Sequence, residues 1–169
     1  MGKKKEKGSV VKFGLAGFAR INIMENGKLV GDSGWNHNVV TDFGIDEGLA
    51  QRILGGSVYG AYAALGTGGD TATNTSNLPN VILHTQNRDS CSTSAVTNAS
   101  AAAVTARWYG TIVSSDYFTA STTIGNIGIF NSASTNAGSI LCGATYTSSG
   151  INTNQDVNYT YEWQFATTT

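Results

Sequence analysis

The stretch from Asp156 to Ala166 constrains the fold of this chain more than any other. Its residues alternate between an apolar and a polar side, and successive side chains of a β-strand point to opposite faces. A helix would scatter the same aromatic residues around its circumference. The stretch therefore predicts a half-buried antiparallel strand that needs a second layer to cover its apolar face. That face carries Val157, Tyr159, Tyr161, Trp163 and Phe165.

Alternating or short apolar stretches recur along the rest of the chain, with turn residues between them. Asn26-Gly27 between two of them is a strong hairpin signal. The return strand is expected from Lys28 to Asp32, with Gly31 and Gly34 breaking it near Trp35. The pattern predicts an all-β protein, an antiparallel β-sandwich or jelly-roll-like domain, with a barrel as the alternative. Further strands are expected at 18–24, 62–66, 79–84 (an edge strand), 104–113, 124–130 and 139–146, and polar loops at 67–77 and 87–100.

One short helix is predicted between residues 42 and 54. Thr41 or Asp42 can cap its first turn, and Gly55-Gly56 would end it. Apolar residues recur at helical spacing, which indicates one buried stripe packed against the sheet or closing one end of it. The stripe consists of Ile45, Leu49, Ile53 and Leu54.

The charged residues are few and unevenly placed. Only 12% of the 169 residues are charged, about half the usual share. The formal net charge of −1 argues against a nucleic-acid-binding protein. We expect no membrane segment and no signal peptide, since no apolar run has the required length or position. A surface of hydroxyls and amides suits a β-rich protein that is exposed or covered by copies of itself.

The first residues form a basic arm, and every lysine of the chain lies at or before Lys28. We place the arm at residues 1–17 and a single domain at 18–169. Without apolar periodicity the arm is expected to be mobile on its own. It could bind an acidic partner surface, or it could be a solvated tail. The candidate binding residues are Lys3, Lys4, Lys5 and Lys7.

The sequence offers no constellation of catalytic residues, so we expect no enzyme, no cofactor and no metal centre. His37 and His84 lie far apart, and a dyad of His84 with Cys91 is conceivable but unsupported. Cys91 and Cys142 belong to no zinc-binding pattern and are expected to be buried free thiols, with a disulfide as the alternative. A calcium site at Asp70 and Asn74 in the polar loop is a further hypothesis.

Three stretches, in order, resemble the virion structural proteins of tailed bacteriophages, which include head-decoration, head-fibre and tail-fibre-associated components. They are WNHNVVTDFGIDEGLAQRILGG, YAALGTGGDTATNTSNLPN and IGNIGIFNSASTNAGSILCGATYTSSGINTNQDVNYTYEWQFA. Together they span Asn36 to Ala166. The chain departs from the pattern at Asn126, where the family often has Glu, and at Leu78-Pro79-Asn80.

The resemblance implies a phage capsid decoration or cement protein that binds the outer shell as a symmetric oligomer, such as a homotrimer. Its partner would be the major capsid protein and its location the virion surface, without direct contact to nucleic acid or membrane. The polar loops at 68–77 and 89–100 would be exposed tips or subunit contacts. The alternatives are a tail-fibre or neck adaptor subunit, or a carbohydrate-binding β-sandwich with Trp35, Tyr59 or Tyr62 as stacking platforms.

Overall fold

The structure, a computed structural model, describes residues 12–50, 53–55, 60, 62–82, 87–98 and 103–168. The described chain is mostly antiparallel β-structure, so the predicted all-β class is confirmed. Its strands are β1 (Lys12–Glu25), β2 (Lys28–Val40), β3 (Tyr62–Gly66), β4 (Asp89–Ser90), β5 (Ser92–Asn98), β6 (Ala103–Ile112), β7 (Thr122–Phe130), β8 (Ile140–Ile151) and β9 (Gln155–Thr168). Two helical segments accompany them, a π-helix at Gly44–Ala50 and a single turn, α1, at Ser114–Tyr117.

The strands form one sheet in the order β4-β3-β7-β8-β2-β1-β9-β6-β5, and each strand of this order pairs with its neighbours in the antiparallel sense. The two strands at the ends of this order are consecutive in sequence. Only Cys91 separates β4 from β5. Because a single residue connects the two edge strands, the two edges of the sheet lie close together. The curled sheet is therefore nearly closed.

The predicted apolar face of β9 lines the interior of this sheet. Val157, Tyr159, Tyr161 and Trp163 are each at most 3% exposed, and Phe165 packs at the margin of the core. β9 lies between β1 and β6, and it pairs with β1 from Lys12↔Thr168 to Glu25↔Gln155. The phenol of Tyr161 donates a 2.6 Å hydrogen bond to the carbonyl of Ile127, so its buried hydroxyl is satisfied.

The strand boundaries differ from expectation at both ends of the first hairpin. β1 already begins at Lys12, so residues 12–17 lie in the sheet and precede the expected domain start at residue 18. Lys3, Lys4, Lys5 and Lys7 lie outside the described residues. The return strand does not end near Asp32 but continues to Val40, because the glycines there are accommodated in β-bulges.

Two predictions for the middle of the chain were wrong within the described residues. The stretch 89–98, expected to be loop, supplies β4 and β5, because the two sheet edges satisfy its backbone hydrogen bonds. Its low apolar content had hidden the strands, since residues at the sheet edge need little burial. The expected edge strand at 79–84 is reduced in the described part to a single bridge between Val81 and Gly66.

The helix begins as predicted but packs differently. The hydroxyl of Thr41 accepts a 3.0 Å hydrogen bond from the Gly44 amide and donates one of 2.6 Å to the carbonyl of Ile140, so Thr41 is the cap. The expected burial of the apolar stripe was wrong. Ile45, Ile53 and Leu54 are 44%, 78% and 82% exposed. The wider π-helical turn does not keep residues four apart on one face.

Glycines make the contact of this helical segment with the sheet. A Cβ on Gly44 would overlap the carbonyl oxygen of Leu141 in β8, and one on Gly48 would lie 3.2 Å from the ring of Trp163. The backbone of the segment therefore approaches the sheet more closely than side chains would allow. The side chain of Ile45 is consequently turned towards solvent, whereas Leu49 is half-buried.

The turn between β7 and β8 folds around a buried arginine. Arg88 is 5% exposed and donates hydrogen bonds to the carbonyl oxygens of Ser132 (2.9 Å) and Ala137 (2.8 Å). Its guanidinium carbon lies 3.7 Å from the centroid of the Phe130 ring. Burial lowers the pKa of Arg88, but a guanidinium remains charged. The charge is thus held by carbonyl dipoles and an aromatic face.

Candidate binding face on the outer side of the sheet

The outward-facing side chains of β2, β1, β9, β6 and β5 form a surface that we call the outer face. The strand register sets Trp35, Arg20, Thr160 and Tyr109 side by side across four strands. Trp35 is 49% exposed and Tyr109 43%, although large aromatic side chains are usually more buried. The outer face therefore presents two aromatic rings with polar groups between them.

A β-bulge in β2 sets the position of Trp35. The register advances two residues along β1, from Arg20 to Asn22, while it advances three along β2, from Trp35 to Asp32. Gly34 adopts φ +65° in this bulge, a conformation that favours glycine. The backbone amide of Ile21, which would otherwise lack a strand partner, donates a 2.9 Å hydrogen bond to the Ser33 hydroxyl. Bulges of this kind re-aim the side chains beside them.

Side-chain hydrogen bonds hold the bulge in place. Both carboxylate oxygens of Asp32 accept hydrogen bonds from the Arg20 guanidinium, and the distance from Nε to Oδ1 is 3.0 Å. Oδ1 also accepts a 2.9 Å hydrogen bond from the Gly34 amide. The hydrogen bonds from Arg20 are the main reason that the pKa of Asp32 falls to about 2. The amide of Asn36 donates to the carbonyls of Ser33 and Gly34, both at 3.1 Å. Trp35 therefore projects from an extensively fixed backbone.

A second ion pair lies beside the aromatic row. Arg107 donates to Oε1 of Glu162 from Nε (2.8 Å) and from Nη2 (2.6 Å). Glu162 is only 7% exposed, so its carboxylate depends on this partner for compensation of its buried charge. On the other side of Glu162, Phe18 contacts the ring of His37 with centroids 4.9 Å apart. Asp32 and Glu162 on the outer face are thus each paired with an arginine.

Trp35, Tyr109 and the Arg107–Glu162 ion pair border an open depression of about 420 Å³. A neighbouring groove of about 400 Å³ shares Ser94 and Arg107 with it and is floored by aromatic rings. Trp108 and Trp163 meet edge to face there, with centroids 5.0 Å apart, and the Trp108 indole donates a 2.6 Å hydrogen bond to the carbonyl of Gly60. The depression itself is lined by Trp35, Ser94, Arg107, Tyr109, Thr160 and Glu162.

Large apolar side chains are also exposed outside the depression. They occur at the first hairpin, on and after the helical segment, on β5 and β6, and before α1. Exposure ranges from 41% to 82% for Leu29, Val30, Ile45, Ile53, Leu54, Val96, Val104 and Val113. Apolar exposure on this scale is typical of protein interaction surfaces when the residues are contiguous. Ile53 and Leu54 are adjacent in sequence and are the most exposed of the set.

Cys91 and Cys142 are both free thiols, so the alternative of a disulfide between them is wrong. Burial raises the pKa of Cys91 to about 12 and that of the fully buried Cys142 still further, which disfavours reactive thiolates. The phenol of Tyr159 donates a 2.8 Å hydrogen bond to Asp89, and its oxygen lies 3.3 Å from Sγ of Cys91. His84 lies outside the described residues, so a dyad with Cys91 stays a conceivable but unsupported hypothesis.

The polar loop proposed as an exposed tip is only partly free. The amide of the fully buried Asn126 donates 3.0 Å hydrogen bonds to the carbonyls of Gly69 and Pro79, and Thr71 is buried against Gly143. Asn126, a departure from the resembling family, thus ties both ends of this loop to β7. Asp70 of the proposed calcium site is exposed, and within the described ranges no group of three metal-ligating His, Cys, Asp or Glu side chains is found.

The proposed aromatic platforms have different outcomes. Trp35 is exposed on the outer face, Tyr62 packs against the small cluster around Phe130, and Tyr59 lies outside the described residues. Sequence analysis missed Tyr109 as a partner of Trp35. The alternation of β6 already places Tyr109 opposite its inward-facing Trp108, but the register that aligns it with Trp35 cannot be obtained from one strand.

Comparisons with models of protein families, with curated proteins and with solved structures found no match to this chain. The fold and the outer face therefore have to be interpreted from their own chemistry. In the described part of the chain, no helix has the length and apolar character needed to cross a membrane.

Proposed function

We propose that this chain is a bacteriophage virion structural protein, a decoration or cement subunit that binds the outer capsid shell as a symmetric oligomer and stabilises it. The expected assembly is a homotrimer, and the expected partner is the major capsid protein. The role is mechanical, with no catalytic step and no cofactor. Many copies on the particle surface would each bury a modest area at junctions between capsid subunits.

The observation that carries this proposal is the exposed apolar area on a charge-poor domain. Ile53 and Leu54 are 78% and 82% exposed and follow the helical segment Gly44–Ala50, whose own contact with the sheet is made by glycines. A free monomer would expose these side chains at a cost in solubility, and the domain has few charges to offset it. Both features are explained if copies of the chain and a shell cover the surface.

The arrangement of the three resembling stretches gives further support. Each contributes strands to one contiguous part of the sheet, β3-β7-β8-β2. Hydrogen bonds also connect them, from Thr41 to the carbonyl of Ile140 and from Asn126 to the carbonyl of Gly69. Residues that recur together in sequence therefore form one packed unit here. Such a unit would be the scaffold shared with the resembling proteins.

The experiment is binding of the purified protein to undecorated phage heads, with occupancy read by cryo-electron microscopy. Density at the symmetric sites of the capsid is expected and would fix the oligomer. Label at the tail or neck alone would overturn the decoration role in favour of the adaptor alternative. Absence of binding to any part of the particle would overturn the virion proposal.

A pair of variants tests the surface that carries the proposal. The double substitution Ile53→Asp and Leu54→Asp is expected to weaken oligomerisation or attachment to the head, because it places charge in an apolar interface. Thr147→Asp, at an exposed polar position of β8, is the matched control. Equal behaviour of the two variants in sedimentation and head binding would contradict a role for this apolar segment.

A further inference from the structure

We infer that the depression between Trp35 and Tyr109 binds a neutral oligosaccharide. This inference goes beyond the proposed structural role and does not depend on it. It rests on three features of the outer face: two exposed aromatic rings, a fixed backbone beneath one of them, and polar side chains whose charges cancel in pairs.

The aromatic rings suit the apolar faces of sugar rings. A pyranose presents C–H groups on one face and hydroxyls around its edge, so it can stack on an aromatic ring while its hydroxyls bond to neighbouring polar groups. Trp35 and Tyr109 lie three strand spacings apart, which corresponds to about 14 Å between their backbones. A ligand that contacts both rings must therefore be a short chain of sugars, not a single one.

The polar groups between the rings favour a neutral, hydroxyl-rich ligand. The charges of Arg20 and Asp32 compensate each other, as do those of Arg107 and Glu162. An anionic ligand would have to compete with those carboxylates for the arginines, and a cationic ligand would have to compete with the arginines for the carboxylates. The hydroxyl of Thr160 also borders the depression. Sugar hydroxyls both donate and accept, so they can bond to such mixed groups without breaking the ion pairs.

The rigidity of the Trp35 bulge distinguishes the site from an incidentally exposed side chain. Hydrogen bonds from Asn36, Arg20 and the Ile21 amide fix the backbone around Trp35 before any ligand arrives. A pre-formed platform loses less conformational entropy on binding.

The test is titration of the purified full chain with neutral cello-, malto- and chito-oligosaccharides of four to six units, followed by calorimetry and intrinsic fluorescence. Binding by at least one series is expected. Trp35→Ala and Tyr109→Ala should each weaken it at least tenfold, while Val113→Ala, at a comparably exposed apolar residue that does not line the depression, should leave it unchanged. Unaltered thermal unfolding of the variants would confirm that they remain folded.

Three outcomes would overturn the inference. They are absence of binding throughout the panel, equal weakening by Val113→Ala, and a preference for sulfated or uronic-acid chains over neutral ones. Loss of head attachment in Trp35→Ala without any saccharide binding would instead identify the outer face as a protein interface. The last result would leave the proposed decoration role intact, so failure of one proposal is distinguishable from failure of the other.

Discussion

Replacement of Arg88 by methionine tests how the turn between β7 and β8 is held. Methionine keeps an unbranched apolar chain of similar length that can still contact the Phe130 ring. It removes the donors to the carbonyls of Ser132 and Ala137. Those carbonyls converge on the guanidinium, so the turn loses the group around which it folds.

The expected loss of stability follows from these contacts. Hydrogen bonds with a charged partner contribute about 1.5 to 3 kcal/mol each, and two bonds of good length are lost. The aromatic contact of the guanidinium adds up to about 2 kcal/mol, part of which methionine recovers by packing. A net destabilisation of about 3 to 5 kcal/mol is expected, a large share of the roughly 5 to 15 kcal/mol typical of a domain.

Urea unfolding of Arg88→Met and wild type measures the difference, and amide hydrogen exchange reports whether residues 131–138 open locally. Arg88→Lys should retain part of the stability, since an ammonium can bond the same carbonyls without matching their planar arrangement. Arg20→Met is the control, because that arginine lies in an exposed ion pair and should cost far less. A loss below about 1 kcal/mol for Arg88→Met would refute the reasoning.

Three further predictions concern packing, pH and attachment. Gly44→Ala places a Cβ on a backbone carbonyl of β8 and should cost about 1 to 3 kcal/mol by urea unfolding, whereas Gly150→Ala, with open space around it, should be nearly neutral. A large effect at both glycines would contradict the packing argument. The pKa of Asp32 is lowered to about 2, from about 3.9 when unfolded, so its ion pair with Arg20 stabilises above about pH 4 and loses that effect as pH falls through 2. The stability difference between wild type and Asp32→Asn should shrink over that window, and a constant difference would count against the assignment. Deletion of residues 1–8 should leave folding intact and weaken attachment to heads at low salt, with the deficit shrinking as salt screens the lysines; equal attachment at every salt concentration would exclude the arm as a tether.

Local side-chain patterning was sufficient to predict much of the sheet. The alternation of β9 identified its buried residues Val157, Tyr159, Tyr161 and Trp163. The apolar stretch at Tyr62–Gly66 has the same bounds as β3. Asn26-Gly27 formed the expected hairpin turn, with positive φ at both residues. In each case the determining interactions lie within a few neighbours in sequence, so a single chain contains the required signal.

The features that could not be predicted depend on distant partners. The stretch 89–98 becomes strand only because the two sheet edges reach it, and its own residues are too polar to indicate burial. The outer face requires the register of four strands, from Trp35 to Tyr109. The exposure of Ile45 reflects a π-helical turn, which amphipathic spacing at 3.6 residues per turn cannot indicate.

The pairing of β1 with β9 has a consequence for how the protein is made. On the ribosome, β1 emerges first and has to wait for more than a hundred further residues before its partner is synthesised. Hydrogen bonds of such large sequence separation form slowly. A nascent chain therefore cannot complete its core early, and a product that stops before β9 would leave β1 and β6 without their shared neighbour.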